Sequence, residues 1–181
     1  GQMLKKSLVL AVAVLVVVSV SSAAVKIPAS QLFQKGKMWI TPQIGLYSWG
    51  GSVPFGASFE TAITPNIGVG GTAMAMFWGE SEWNSSLIML SADVAYHFTQ
   101  LKVDNLDLYA GGGLGYSIYS YSWKSGFSGE YGGTGSGVYI ATLLGARYYF
   151  TPKIAASLRL VGSLTGWSGF GTQLGVTFLL K

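Results

Sequence analysis

Hydrophobic and polar residues alternate along most of the chain after residue 36. A period of two is the period of a β-strand whose faces meet two different environments. Clusters of Gly, Pro, Asn and Ser divide the alternation into eight stretches, most of them about 12 to 16 residues long, and a tilted strand needs about 9–11 residues to cross a bilayer. The predicted strands are 37–49, 53–64, 66–78, 84–99, 106–122, 137–150, 153–165 and 169–180.

The apolar residues alone decide which positions of each strand are assigned to the aliphatic face. The charged residues therefore test this assignment independently. Glu60, Asp93, His97, Arg147 and Arg159 lie well inside predicted strands, and all five have the parity opposite to the aliphatic face. Agreement by chance is about 1 in 32 if each parity is a coin toss. A charge at the lipid midplane costs about 2–4 kcal/mol. The sorting therefore indicates aliphatic side chains against lipid and charged side chains inside.

Composition favours a membrane barrel over a soluble one. Half of the chain is hydrophobic and 10% is charged, with mean hydropathy +0.43, whereas a soluble domain carries about a quarter charged residues. Beyond residue 24 the sequence has no apolar run of about 18 residues, the minimum for a spanning helix. A closed barrel is the other way to cross lipid with every backbone group satisfied. We therefore predict an all-β fold, an eight-stranded antiparallel up-and-down transmembrane β-barrel.

The first 24 residues have the pattern of a cleavable signal peptide, in which Gly1–Gln2 is a short leader before Met3. Lys5 and Lys6 precede an apolar stretch of 13 residues from Leu8 to Val20, which is short for a spanning helix. The small residues at 22–24 supply a cleavage site. The prediction is a signal peptide over 1–24, an N-terminal periplasmic segment over 25–36 and the barrel over 37–181.

Turn lengths predict the orientation, because outer-membrane barrels have short periplasmic turns and longer outer loops. With the N-terminus in the periplasm, the periplasmic turns are 64–66, 100–105 and 151–153, and two of them are Thr-Pro turns. The outer loops lie near 50–52, 79–83, 123–136 and 166–168. The loop at 123–136 is the longest and is rich in glycine, which predicts mobility and makes it the candidate contact with an extracellular partner.

The segments TPNIGVGG at 64–71 and TPKIAASL at 151–158, together with the eight alternating strands and the signal peptide, resemble the small bacterial eight-stranded outer-membrane β-barrel family of the OmpX and OmpA barrel-domain type. The resemblance covers about residues 37–180. It implies residence in the outer membrane of a Gram-negative-type bacterium, contact with lipopolysaccharide and insertion by the barrel-insertion machinery. Phe178 has the outward parity of the aromatic residue that this machinery reads, although it is not terminal. The resemblance carries no catalytic motif.

Four charged residues form the candidate lumen site. Glu60, Asp93, Arg147 and Arg159 lie at similar distances from the periplasmic turns, so they are expected to converge in one network. Buried charges must be paired, which favours a structural role, and a gate that exchanges partners is the functional alternative. His97 is interpreted as a satisfied lumen histidine. The alternative, a lipid A-modifying base, lacks an orienting triad.

A second candidate site is an aromatic mouth in the upper lumen. Its residues either pack the lumen or line a pocket for a small apolar or sugar-like ligand. They are Tyr47, Trp49, Met76, Trp78, Tyr119, Tyr121 and Tyr139. No cofactor, metal site or catalytic residue is predicted, because the chain has no cysteine and a single histidine. The low content of Lys and Arg argues against nucleic acid.

The sequence therefore predicts a monomeric, non-enzymatic, porin-like protein of the cell envelope, with a side-chain-filled lumen and a structural or surface-interaction role. Two alternatives stay open. One is a narrow channel or binding pocket for small apolar molecules, and the other is a lipid A-modifying enzyme. Fold alone does not choose among them.

Overall fold

The computed structural model describes residues 25–47, 52–79, 83–123, 132–165 and 169–181. The predicted signal peptide, Trp49 and the central parts of the outer loops lie outside these residues. The eight strands are β1 (Met38–Tyr47), β2 (Phe55–Ala62), β3 (Ile67–Gly79), β4 (Trp83–His97), β5 (Leu106–Trp123), β6 (Gly133–Thr151), β7 (Ile154–Ser163) and β8 (Gly169–Leu179).

The strands form one closed barrel in sequence order. Every strand is antiparallel to the next, and β1 pairs with β8, from Trp39 opposite Leu179 to Tyr47 opposite Gly171. Closure removes the unpaired edges that an open sheet would present. The predicted eight-stranded antiparallel up-and-down barrel is confirmed.

The two faces of the wall are separated as the alternation predicts. Aliphatic side chains on the outer face stay exposed: Leu114 and Val138 are 65% exposed and Leu144 is 53% exposed. Inward neighbours on the same strands are buried, among them Ser117 and Leu143. In water such a surface would be an exposed apolar patch far larger than soluble monomers carry, so the outer face is suited to hydrocarbon.

Both Thr-Pro turns use the threonine hydroxyl in the same way. Thr64 Oγ1 accepts hydrogen bonds from the backbone N–H groups of Asn66, at 3.2 Å, and Ile67, at 2.9 Å. Thr151 Oγ1 accepts from the corresponding groups of Lys153, at 3.2 Å, and Ile154, at 3.0 Å. The hydroxyl satisfies amides that the end of the strand leaves open, and proline fixes φ beside it. This explains why two tight turns share one dipeptide.

The sixth strand begins at Gly133, whereas the sequence predicted 137. Gly133–Ser136 had been assigned to the outer loop, but these residues pair with Tyr121–Ile118 of β5. The ring of Tyr121 lies over Gly133, where a Cβ would come within 2.6 Å of a ring carbon. An aromatic side chain that covers a glycine compensates for its poor strand propensity. Because the alternation is hidden by glycine, the strand could not be followed there from sequence.

Glycine and tyrosine also meet lower on the same hairpin. The ring of Tyr139 lies against Gly115, and that of Tyr109 against Gly145. In both places a Cβ would come within about 2.2 Å of ring atoms, so a larger residue cannot be accommodated without moving the ring. Glycines in the inward positions of β5 and β6 therefore make the space in which tyrosines fill the lumen.

The segment before β1 folds against the end of the barrel at which the chain enters and leaves it. It includes a single helical turn, α1 (Ala29–Leu32). Ile27, Leu32 and Phe33 are each 3% exposed. No helix in the described part of the chain is long and apolar enough to cross a membrane. The sequence assigned residues 25–36 to the periplasm and did not predict that this segment packs into the end of the barrel that carries the short turns.

A charge on the outer face tests the contact with lipid. Leu144 pairs with Ala110 and Leu160 in the middle of the wall. Leu144→Arg is expected to lower the free energy of unfolding by about 2–4 kcal/mol, because a guanidinium near the midplane loses its hydration. Urea unfolding of the barrel folded in vesicles measures this difference. Ile154→Arg, at the end of β7, is the matched control and is expected to cost about 0–1 kcal/mol. Equal losses in the two variants would contradict the assignment of this face to lipid.

Candidate functional site in the barrel lumen

Four ionisable side chains meet inside the barrel near the end that carries the short turns. His97 Nδ1 lies 2.8 Å from Asp107 Oδ1, and His97 Nε2 lies 2.9 Å from Glu60 Oε1. Arg147 donates to Glu60 Oε2, and its second terminal nitrogen lies 3.6 Å from Asp107 Oδ2. Both ring nitrogens of histidine can donate only in the doubly protonated ring. In that form the two carboxylates are balanced by two cations. We call these four residues the lower cluster: Glu60, His97, Asp107 and Arg147.

The register of the barrel brings the lower cluster together. Asp107 and Arg147 are directly opposite on β5 and β6, His97 lies on β4, the other neighbour of β5, and Glu60 comes from β2, three strands away from β5. Gly68 on β3 makes room, because a Cβ there would lie 2.2 Å from Glu60 Oε1. All four side chains are buried or nearly buried, and their exposed fractions range from 0% for His97 to 12% for Glu60.

Aromatic rings enclose the lower cluster. The guanidinium carbon of Arg147 lies 5.4 Å from the centre of the Trp39 ring and 4.8 Å from that of Tyr109, both within the range of a cation–π contact. Phe33 of the N-terminal segment stacks on His97, with ring centroids 3.6 Å apart, and on Trp39, at 5.1 Å. The N-terminal segment therefore covers the lower cluster from the end of the barrel and acts as a plug.

Asn105 holds this plug in place. Its backbone N–H donates to Ile27 O at 3.0 Å, and its Oδ1 accepts from Ile27 N at 3.1 Å. Its Nδ2 donates to Val25 O at 2.7 Å and to Tyr149 O at 2.8 Å. Asn105 has φ of 62°, a conformation in which asparagine is enriched. One residue of the turn between β4 and β5 thus ties the plug to the strand ends.

A second ion pair lies farther from the plug. Arg159 of β7 is 3.5 Å from Asp93 of β4, and Thr72 of β3 bridges them by donating to Asp93 Oδ2 at 2.6 Å while accepting from Arg159 at 3.1 Å. The four residues predicted as one network therefore divide into two pairs, Arg147 with Glu60 and Arg159 with Asp93. A void of about 20 Å³, bordered by all four, separates the pairs and is large enough for about one water molecule.

The predicted aromatic mouth consists of rings that pack on one another. Trp78 and Tyr119 have ring centroids 5.9 Å apart, and Tyr119 and Tyr121 lie 6.0 Å apart. Met76 is completely buried. Trp49 and the side chain of Tyr47 lie outside the described part of the structure. The rings of Trp78, Tyr119 and Tyr121 thus lie close together, and both interpretations of the mouth stay predictions.

A cavity occupies a different part of the upper lumen, beneath β6, β7 and β8. It has a volume of about 80 Å³, several times the minimum that one water molecule needs. Its walls are mainly apolar, formed by Met74, Leu87, Met89, Leu143 and Val161, with the Asp93–Arg159 pair and Gln173 as polar lining residues. Among the described members of the predicted mouth, only Tyr139 lines it. The sequence did not single out the apolar lining residues Leu87, Met89, Leu143 and Val161, because parity alone does not show which inward side chains leave space.

The contacts of His97 and Thr99 do not pair these two residues with each other. His97 contacts two carboxylates, and Thr99, the neighbour considered as its partner, instead accepts a hydrogen bond from Asn66 Nδ2. Among the described residues no group of three or more His, Asp and Glu side chains is placed to hold a metal ion.

Removal of one partner tests the lower cluster. Arg147→Ala is expected to lower the free energy of unfolding by about 3–5 kcal/mol, because it leaves Glu60 and Asp107 buried with one fewer cation. Combining it with Glu60→Gln should recover part of the loss, since one of the two carboxylates is then neutral. Urea unfolding in vesicles measures both variants, and a single variant as stable as the unaltered chain would refute the cluster.

Comparisons with known proteins find relatives by structure and not by sequence. No family model matches the chain, and no curated protein matches it. The N-terminal β-barrel domain of OprF from Pseudomonas aeruginosa has a TM-score of 0.60 at 18% identity, over 81% of this chain and 98% of that one. The outer membrane protein OprG of the same organism has 0.59 at 10% identity, over 83% and 98%.

Ail, the attachment invasion locus protein of Yersinia pestis, has a TM-score of 0.53 at 13% identity, over 81% of this chain and 99% of that one. Identities this low compare folds only. The barrel predicted by resemblance is thus confirmed at the level of architecture: the chain has the fold of the small eight-stranded bacterial outer-membrane proteins.

Proposed function

We propose that this chain is a non-enzymatic, monomeric outer-membrane protein of a Gram-negative-type bacterium, with a closed lumen and a role in envelope structure or surface interaction. The observation that carries the proposal is the seal at one end of the lumen. There the side chains of the lower cluster are buried, aromatic rings lie against them, and Phe33 of the plug stacks on His97 at 3.6 Å. A pore through this end would have to separate two carboxylates from their cations, which is costly away from water.

The outer face supports the membrane location. Its exposed aliphatic residues continue around the wall, and charged side chains of the described strands point inward. We place the short turns and the plug in the periplasm, since periplasmic turns of outer-membrane barrels are short. Lipid and lipopolysaccharide are then the surroundings of the wall.

The hairpin of β5 and β6 supports a surface role. The pairing of β6 with β7 ends at Ala141 opposite Ser163, whereas its pairing with β5 continues to Gly133 opposite Tyr121. This hairpin therefore extends well beyond β7 on the outer side. The predicted contact loop at 123–136 is at its tip, although residues 124–131 lie outside the described structure. A tall hairpin presents its tip to a partner outside the cell, which is the interaction we propose.

A lipid A-modifying activity is less well supported. Its base would have to reach the lipid, but His97 has no exposed surface and both of its ring nitrogens face carboxylates inside the barrel. Catalytic hydrogen bonds require a base within reach of the substrate proton. The contacts of His97 fit a structural role in the lower cluster.

Single-channel recording in planar bilayers tests the closed lumen. The full barrel is expected to insert without producing discrete conductance steps, because the sealed end blocks the passage of ions. A variant that weakens the plug, Phe33→Ala, should raise the frequency of openings, while Gln34→Ala, an exposed neighbour, serves as its control. Regular openings of the unaltered protein would overturn the proposal.

A binding pocket for small apolar molecules is the second candidate, favoured by the cavity beneath β6, β7 and β8. Its volume of about 80 Å³ and its mainly apolar walls suit a molecule no larger than benzene, which binds in an apolar cavity of about 150 Å³. Residues of both faces line it, with Met74 and Met89 pointing inward and Gly162 and Phe170 on the outer side of the wall. A molecule dissolved in the membrane could therefore approach it from the side.

Methyl NMR of the methionines tests this candidate. Benzene is expected to shift the signals of Met74 and Met89, which line the cavity. Ala141→Phe, which places a ring inside the cavity, should abolish those shifts. Ala146→Phe on the same strand points outward and is the matched control. Equal shifts in both variants would show that benzene dissolves in the micelle instead of binding.

A further inference from the structure

Charge is distributed very unevenly between the two ends of the barrel. The described residues include eight Lys and Arg, and the two that are arginines, Arg147 and Arg159, are paired inside the lumen. The remaining six are lysines, and every one lies at the end that carries the plug and the short turns. We call this set the lysine collar: Lys26, Lys35, Lys37, Lys102, Lys153 and Lys181.

Acidic residues do little to balance the lysine collar. Of the four described acidic residues, three lie in the lumen, and only Asp104 is at the surface of this end. Asp104 forms an ion pair with Lys26 at 3.1 Å, and the hydrogen bond from Lys26 lowers the pKa of its carboxyl group. Three of the four charged residues in the predicted outer loops are instead acidic: Glu80, Glu82 and Glu130.

The lysines are spread around the perimeter of the barrel. Lys37 precedes β1, Lys102 lies between β4 and β5, Lys153 lies between β6 and β7, and Lys181 follows β8. Lys26 and Lys35 belong to the plug. A protein partner that docks on one patch would contact only part of this set. A layer of head groups surrounding the barrel would contact it on all sides, which favours lipid as the partner.

The collar also has apolar neighbours that suit a membrane surface. Lys102 lies between Leu101, which is 55% exposed, and Val103, which is 44% exposed. Exposed aliphatic side chains beside a lysine can enter the boundary between head groups and acyl chains while the ammonium group stays among the phosphates. Lys37 differs from the others: burial lowers its pKa, and its Nζ donates to Gln31 O.

We propose that the lysine collar binds the anionic head groups of phospholipids in the periplasmic leaflet of the outer membrane. The inference rests on the membrane placement proposed above. Each basic residue close to an anionic membrane surface contributes roughly a fivefold increase in affinity, and attraction of this kind is weakened by salt within a Debye length of about 10 Å at 0.1 M. The collar thus holds the barrel at a defined depth and orientation.

The test compares lipids with identical short tails and different head groups. Native mass spectrometry of the full barrel in neutral detergent measures the retention of phosphatidylglycerol, which is anionic, and phosphatidylcholine, which has no net charge. The unaltered protein should retain phosphatidylglycerol preferentially, and the preference should fall as salt is raised. Inorganic phosphate and a soluble acidic peptide serve as competitors.

Three exposed lysines supply the variant. Lys35→Gln, Lys102→Gln and Lys153→Gln together remove three charges. Lys26 and Lys37 stay unchanged, because Lys26 pairs with Asp104 and Lys37 donates to Gln31 of the plug. Because the three lysines lie at different places around the barrel, this triple variant should retain fewer phosphatidylglycerol molecules, with roughly fivefold weaker binding at each altered position. The triple Lys→Arg variant at the same positions keeps the charge and should bind like the unaltered protein. Circular dichroism shows whether each variant retains its strands.

Several outcomes would overturn the proposal. They are equal retention of the two lipids, equal loss in the Gln and Arg variants, or displacement of phosphatidylglycerol by the acidic peptide at the same charge concentration, which would indicate a soluble acidic partner. Displacement by equimolar phosphate would indicate a site for free phosphate. Failure of the unaltered chain to enter vesicles would instead contradict the membrane placement itself, so the two failures are distinguishable.

Discussion

The constraint on which the structure depends is the complete pairing of the backbone in a wall that meets two different solvents. Hydrocarbon offers no hydrogen-bond partner, so each strand must be paired on both sides, and β1 completes the ring by pairing with β8. Once the ring is closed, successive residues face alternately outward and inward. Side-chain chemistry is then sorted by parity, and glycines such as Gly115 and Gly145 make room on the inner face for the tyrosines that fill it.

Most of the fold could be predicted because this sorting is visible in the sequence. The Thr-Pro turns were found from residue type, and their hydroxyl hydrogen bonds explain why. The start of β6 was missed because Gly133 and Gly135 have no side chain to reveal a parity. The packing of the plug was missed for a different reason. Ile27, Leu32 and Phe33 follow no period of two, and their burial depends on the shape of the barrel end.

The sequence predicted that the charged side chains of the candidate site point into the lumen, but it did not predict which of them pair. Parity placed Glu60, Asp93, Arg147 and Arg159 in the lumen, but it gives neither the height of a residue nor its position around the ring. Both depend on register, which placed Asp107 opposite Arg147. Asp107 was not among the predicted site residues, although its odd-numbered position in the predicted fifth strand gives it the inward parity of the other charged residues. The cavity could not be predicted, because empty space depends on how neighbouring side chains pack.

The internal pairing of the lumen also determines what the surroundings of the barrel experience. With His97 doubly protonated, the lower cluster balances its two carboxylates with two cations, and the Asp93–Arg159 pair balances itself. Charges that cancel at close range produce little field outside the wall. The exterior field of the described barrel therefore comes mainly from the lysines at one end, where Asp104 is the one described acidic residue at the surface. An interior that is neutral as a whole leaves the net charge of the described residues concentrated at one end of the barrel.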